Sequence, residues 1–123
     1  MSEEDKTIDN LLELDNTRFV VDEKLGLWVK FEAKLVEPTS NRPHGIKYSL
    51  SLHDRFNVRI MGFDNAHAIE YGRKTNVAPR RTYSHWHKNE NDSGQPYNYI
   101  NVGKLLEDFW SQVEIVIKKL GGN

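Results

Sequence analysis

Strict two-residue alternation over two separate stretches constrains this chain more than any other feature. Leu27, Val29, Phe31, Ala33 and Leu35 alternate with Trp28, Lys30, Glu32 and Lys34, and Ile46, Tyr48, Leu50 and Leu52 alternate with Lys47, Ser49, Ser51 and His53. In an extended chain successive side chains point to opposite faces, so each stretch reads as a strand with one apolar and one polar face. The apolar faces need a cover, and the sequence supplies one. Val102, Leu105, Leu106, Phe109, Trp110, Val113, Val116, Ile117 and Leu120 recur at three- and four-residue steps, with Asn101 as N-cap and Gly121-Gly122 as the stop.

The rest of the chain fits around that frame. Ile8 to Leu14 reads as a brief helix or covering segment. Arg18 to Val21 is β-branched and aromatic, and Asp22 to Gly26 is a turn that makes a hairpin with the strand that follows. Glu37 to Gly45 is a loop by composition. After a tight turn at Asp54-Arg55, Phe56, Val58, Ile60 and Gly62 read as one face of a return strand, with Asn57, Arg59 and Met61 on the other, and Phe63 to His67 close it. Gly72 to Pro79 is a basic loop, Arg80 to Lys88 an extended segment, Asn89 to Pro96 a turn and Tyr97 to Ile100 a short strand. The expected fold is α+β: an antiparallel β-meander of about five or six strands covered on one face by a C-terminal helix. The 123 residues suit a single domain, 1–123, divided into an acidic N-terminal segment 1–15, a mainly β region 16–100 and the helix 101–120.

Composition removes whole classes of function. Zero cysteines exclude disulfides, thiolate metal sites and cysteine nucleophiles. No run of 18 apolar residues is present, and the acidic start Met1-Ser2-Glu3-Glu4-Asp5 is unlike a signal peptide, so a cytoplasmic protein without a membrane partner is expected. The formal charge of −1 hides a strong polarity. Residues 1–41 carry ten acids against five Lys/Arg, and residues 89–123 carry five against three. Residues 42–88 carry nine Lys/Arg against three acids, together with all five histidines. A basic, histidine-rich middle matches a phosphate-handling surface, because Lys and Arg neutralise phosphates and His moves protons near pH 7. It equally matches a surface that docks on the acidic head or on an acidic partner.

His85 and His87 are two residues apart, so an extended backbone puts both on one face, roughly 6.5–7 Å apart at Cα. As a metal-free ribonuclease pair, one neutral imidazole would take the proton of a 2′-hydroxyl and a protonated one would serve the leaving 5′-oxygen. Asp64 would orient an imidazole, and His67 follows within reach of it. Arg80, Arg81 and Lys88 are the nearest phosphate contacts, joined by Arg59, Arg73, Lys74 and the stacking ring of Trp86. A metal site would need a third ligand such as His67, Asp64 or His53, and no cofactor is expected. The plainer alternatives are two surface histidines beside an interfacial Trp, an Asp64-Asn65 pair satisfying its own backbone, and a His53 without a chemical role at a hairpin tip. Trp110 belongs on the helix stripe, while Trp28 and Trp86 are candidates for a partner interface.

The order of these elements resembles the TumE family of small bacterial toxins. The resemblance rests on Tyr48-Ser49-Leu50-Ser51-Leu52-His53-Asp54, Phe63-Asp64-Asn65-Ala66-His67, His85-Trp86-His87-Lys88, and a Tyr97-containing strand leading into Leu105-Leu106-Glu107-Asp108-Phe109-Trp110, over about residues 46–113. It implies a cytoplasmic toxin neutralised by a helix-turn-helix antitoxin. Catalytic roles do not come with it. Endoribonuclease action is an analogy with other small toxins, joined to the basic middle of the chain. A non-catalytic protein whose basic face blocks RNA, a ribosome or an acidic protein partner is the alternative.

Overall fold

The computed structural model describes residues 8–39, 45–65, 69–71, 80–82, 84–89 and 94–121. In chain order the elements are α1 (Ile8–Glu13), β1 (Thr17–Asp22), β2 (Leu27–Leu35), β3 (Ile46–His53), β4 (Arg59–Asp64), β5 (Ile69–Tyr71), β6 (Arg80–Thr82), β7 (His85–His87), β8 (Gln95–Pro96) and α2 (Val102–Lys119). A six-stranded antiparallel sheet runs in the order β1-β2-β3-β4-β7-β8, and β5 and β6 form a separate two-stranded sheet between β4 and β7 in sequence. The fold is the expected α+β arrangement, with α2 packed on the sheet.

The alternation of β2 and β3 translates directly into burial. Val29, Phe31, Leu50 and Leu52 are fully buried and pair Val29 with Leu52 and Phe31 with Leu50. Onto that surface α2 lowers Val102, Leu105, Phe109, Val113 and Ile117, one residue per turn. The Phe109 ring meets Phe31 and Phe63 edge-on, at centroid distances of 5.5 and 6.2 Å. Asn101 caps the helix as expected, its Oδ1 accepting the Lys104 N–H at 2.8 Å. Trp110 lies at the edge of the stripe, touching Phe31 and Phe109 but still 37% exposed.

Between β1 and β2, the Asp22 carboxylate accepts the Leu25 N–H at 2.9 Å, and Gly26 takes φ +71°. A Cβ at Gly26 would also lie 2.7 Å from the Arg55 side chain, so glycine is required twice over.

β4 departs from the sequence expectation. Its predicted faces are inverted: Met61 and Phe63 are buried opposite Leu52 and Leu50, whereas Gly62 and Asp64 lie opposite Ser51 and Ser49 on the polar side. The cause is local. The turn is not the tight Asp54-Arg55 pair but a wider one closed by Asp54 N–H to the Val58 carbonyl. Asp54 Oδ1 accepts from the Phe56 and Val58 amides, and Asn57 fills the left-handed position at φ +65°. A bulge between Leu52 and His53 then pairs His53 with Arg59, which brings Arg59 onto the polar face. Two other expectations change: the Arg80 to Lys88 segment divides between β6 and β7, and the short strand before α2 is Gln95–Pro96 rather than Tyr97 to Ile100.

Asn65 ends β4 with its side chain. Its Oδ1 accepts the Tyr48 N–H at 2.8 Å and its Nδ2 donates to the Ile46 carbonyl at 2.7 Å, while its own backbone N–H reaches the Tyr48 carbonyl at 3.2 Å. The amide thus stands in for a further ladder unit. Asn65→Ala leaves two buried backbone groups unpaired and is expected to cost about 1–3 kcal/mol, measured as a lower urea midpoint with unchanged slope. A loss below about 0.5 kcal/mol would show that water replaces the amide.

Candidate functional site

The polar face of the sheet, opposite α2, gathers the chemistry-bearing residues in cross-strand rows. One row runs Val20, Trp28, His53, Arg59 through paired positions on β1, β2, β3 and β4. The next runs Arg18, Lys30, Ser51, Gly62, His87, and a third runs Glu32, Ser49, Asp64, His85. Antiparallel neighbours on one face touch, so residues scattered over 70 positions of sequence share a surface.

At the β4–β7 end, Asp64 and His87 are both buried, only 7% and 6% exposed. His87 Nε2 stands 3.5 Å from Asp64 Oδ2, and Arg59 reaches the same oxygen at 3.7 Å. Gly62 makes this possible. A Cβ there would sit 3.3 Å from Arg59 Cδ and 3.2 Å from the Leu50 carbonyl oxygen, so the bare backbone provides the trough in which Arg59 crosses toward Asp64. A carboxylate this close to an imidazole orients its ring.

At the β2–β3 end, His53 stacks on Trp28, with centroids 4.2 Å apart and planes within 13°, and Arg18 lies over the Trp28 ring at 5.5 Å. Trp28 Nε1 donates to the Asp54 carbonyl at 3.1 Å, which locks the indole. His53 Nε2 and Ser51 Oγ are hydrogen-bonded at 2.8 Å. Nδ1 is shielded from solvent without a well-formed hydrogen bond. Burial is the main force holding His53 below the ordinary histidine value; the Asn57 backbone opposes it, and Lys30, Arg59 and Arg18 reinforce it. The imidazole is therefore neutral near pH 7. A shallow recess of about 200 Å³ is lined by Arg18, Phe19, Val20 and Trp28.

The sequence-derived candidates fall in different places. Asp64, His87 and Arg59 meet, and β4–β7 pairing sets His85 opposite Asp64. Lys88 follows β7 at the exposed end of that strand. Trp86 is on the other face, stacked on Phe63 at 5.7 Å and packed against the core rather than set toward the polar side. The backbones of Arg80 and Arg81 pair with Tyr71 and Glu70 in the small sheet, away from β4 in the pairing order. His67, Arg73 and Lys74 lie outside the described residues. Sequence reasoning set His53 aside at a hairpin tip, kept Trp28 only as a candidate for a partner interface and passed over Ser51. The alternation of β3 did place His53 on the polar face, but the assumed tight turn put it at a hairpin tip instead of beside Arg59.

Among the described residues no group of three or more His, Asp or Glu side chains is arranged to hold a metal ion, and no helix is long and apolar enough to cross a membrane. Neither the curated proteins nor the solved structures give a significant match to this chain. Residues 9–117 match the family model described as Toxin TumE, nearly the whole length that carries the sheet and its covering helix, and the chain belongs to that toxin family.

Proposed function

We propose that this toxin cleaves RNA by histidine-based acid–base chemistry without a metal, on the polar face of its sheet. The observation that carries the reading is the buried Asp64–His87 contact with Arg59 on the same carboxylate oxygen. It joins a proton-carrying side chain, a group that orients it and a cation suited to a phosphorane. His85 and His67 are further acid–base candidates, and Arg73, Lys74, Arg80, Arg81 and Lys88 candidate RNA contacts. A toxin family implies an antitoxin partner. We take that partner to be a helix-turn-helix protein, and the compartment to be the cytoplasm.

The test is RNA-end mapping in bacterial cells soon after induction of the wild type and of His85→Ala/His87→Ala, at matched soluble expression. Discrete new ends that the double variant fails to make are the expected result. Growth arrest with no new ends would overturn cleavage in favour of binding without catalysis. A specific observation favours that second reading: Lys34 and Lys47 pair on adjacent strands of the polar face, and both side chains are exposed, so phosphate or acidic protein has cations to grip apart from the Asp64 cluster.

A further inference from the structure

We infer that His53 is the second catalytic histidine of this face, the base that works with His87 as acid. The inference rests on the RNA-cleavage reading above. In-line cleavage of RNA needs two proton carriers on either side of one phosphate, with a cation between them. The polar face contains that order. His53 is on β3 and His87 on β7, two strand spacings apart and one row offset, which puts their Cα atoms roughly 12 Å apart. Arg59 stands between them, paired with His53 and extended over Gly62 toward Asp64. The middle position is Gly62, and the Arg59 side chain lies across it.

The two imidazoles differ in their neighbours. His87 has the Asp64 carboxylate at 3.5 Å, with Arg59 on the same oxygen. Facing His53 are Arg18 from β1, Trp28 and Lys30 from β2, Ser51 beside it, Asn57 from the turn and Arg59 from β4. That environment, and partial burial, favour a neutral ring. The neutral ring is assigned the base, and the ring held against the carboxylate the acid. With its proton on Nδ1, His53 presents Nε2 as an acceptor, and the Ser51 hydroxyl supplies the hydrogen bond until a substrate 2′-hydroxyl takes its place.

The step balances without a co-reactant. The 2′-hydroxyl gives its proton to His53 Nε2 as the 2′-oxygen bonds to phosphorus. The bond from phosphorus to the 5′-oxygen breaks, and that oxygen takes a proton from protonated His87. The products end in a 2′,3′-cyclic phosphate and a 5′-hydroxyl, and solvent restores both rings.

Purified protein added to a bacterial lysate, which offers RNA both free and on ribosomes, tests this from pH 5 to 9. The wild type is expected to make 2′,3′-cyclic phosphate ends with a bell-shaped pH profile. His53→Ala and His53→Gln should lower the rate about 100-fold or more, and the residual activity should lose its acidic limb, because that limb reports deprotonation of the base. The Gln variant keeps a planar polar group against Trp28, and thermal unfolding of both variants separates chemistry from folding. A folded His53→Gln protein within threefold of wild type, acidic limb intact, overturns the role of His53 and leaves the cleavage reading standing. A wild type that makes no new ends at any pH overturns the reading itself, and His53 with it.

Discussion

Phe109→Ala is expected to lower the unfolding free energy by about 3–5 kcal/mol, the usual cost of deleting a buried aromatic ring. Against a total of about 5–15 kcal/mol for a domain, that leaves a marginal protein or none. The ring is fully buried and touches Phe31 from β2 and Phe63 from β4, so it joins the helix to both halves of the sheet. The vacated volume is bounded by strands that hydrogen-bond to neighbours on both sides, and such walls cannot close in to fill it. Urea unfolding is the measurement. Trp110→Ala is the internal comparison: it removes a larger ring from the adjacent position, but one still 37% exposed, and its cost should be the smaller of the two. Equal losses would mean that the helix is held by its edge as much as by its central stripe.

Asp64→Asn should leave the fold in place and lower RNA cleavage and growth arrest about 100-fold or more. The substitution keeps size and hydrogen-bonding capacity but removes the charge that Arg59 and His87 share. Arg59 is 41% exposed along its side chain and can turn to water, so the folded state loses little. His87 is buried, and the variant takes from it the carboxylate that stands 3.5 Å from its ring. Growth after induction, with soluble protein quantified in the same cells, reads the effect. The next residue along the chain makes a sharp contrast. Asn65→Ala should cost stability with little direct effect on chemistry, and Asp64→Asn the reverse. A folded, fully toxic Asp64→Asn variant would remove Asp64 from the mechanism.

Much of the fold was legible because burial writes itself into sequence as a period. The alternations at Leu27–Leu35 and Ile46–His53, and the helical spacing from Val102 onward, predicted the sheet, its polar face and its cover. β4 was misread because a bulge and a wide turn, with Asn57 in its left-handed position, shift register by amounts that periodicity does not record. Trp86 was assigned to a surface because only the β4–β7 pairing reveals that it opposes Phe63. The site was legible in its parts. Asp64 and His87 were both singled out, yet their contact is a product of strand pairing across a 23-residue separation, and no local rule supplies it. His53 was set aside for the converse reason: its local position looked like a loop, whereas the bulge makes it the neighbour of Arg59.

The two halves of the Asp64–His87 contact are carried by strands of unequal length. β4 is six residues long and paired on both sides, whereas β7 is three residues long and its outer neighbour β8 only two. Few ladder bonds hold the outer pair, so the opening free energy there lies below that of the β2–β3–β4 centre. The polar cluster can then come apart while the hydrophobic core stays whole. Warming would silence such a toxin before it unfolds, and a ligand that adds a strand along β8 would tighten the cluster without touching it.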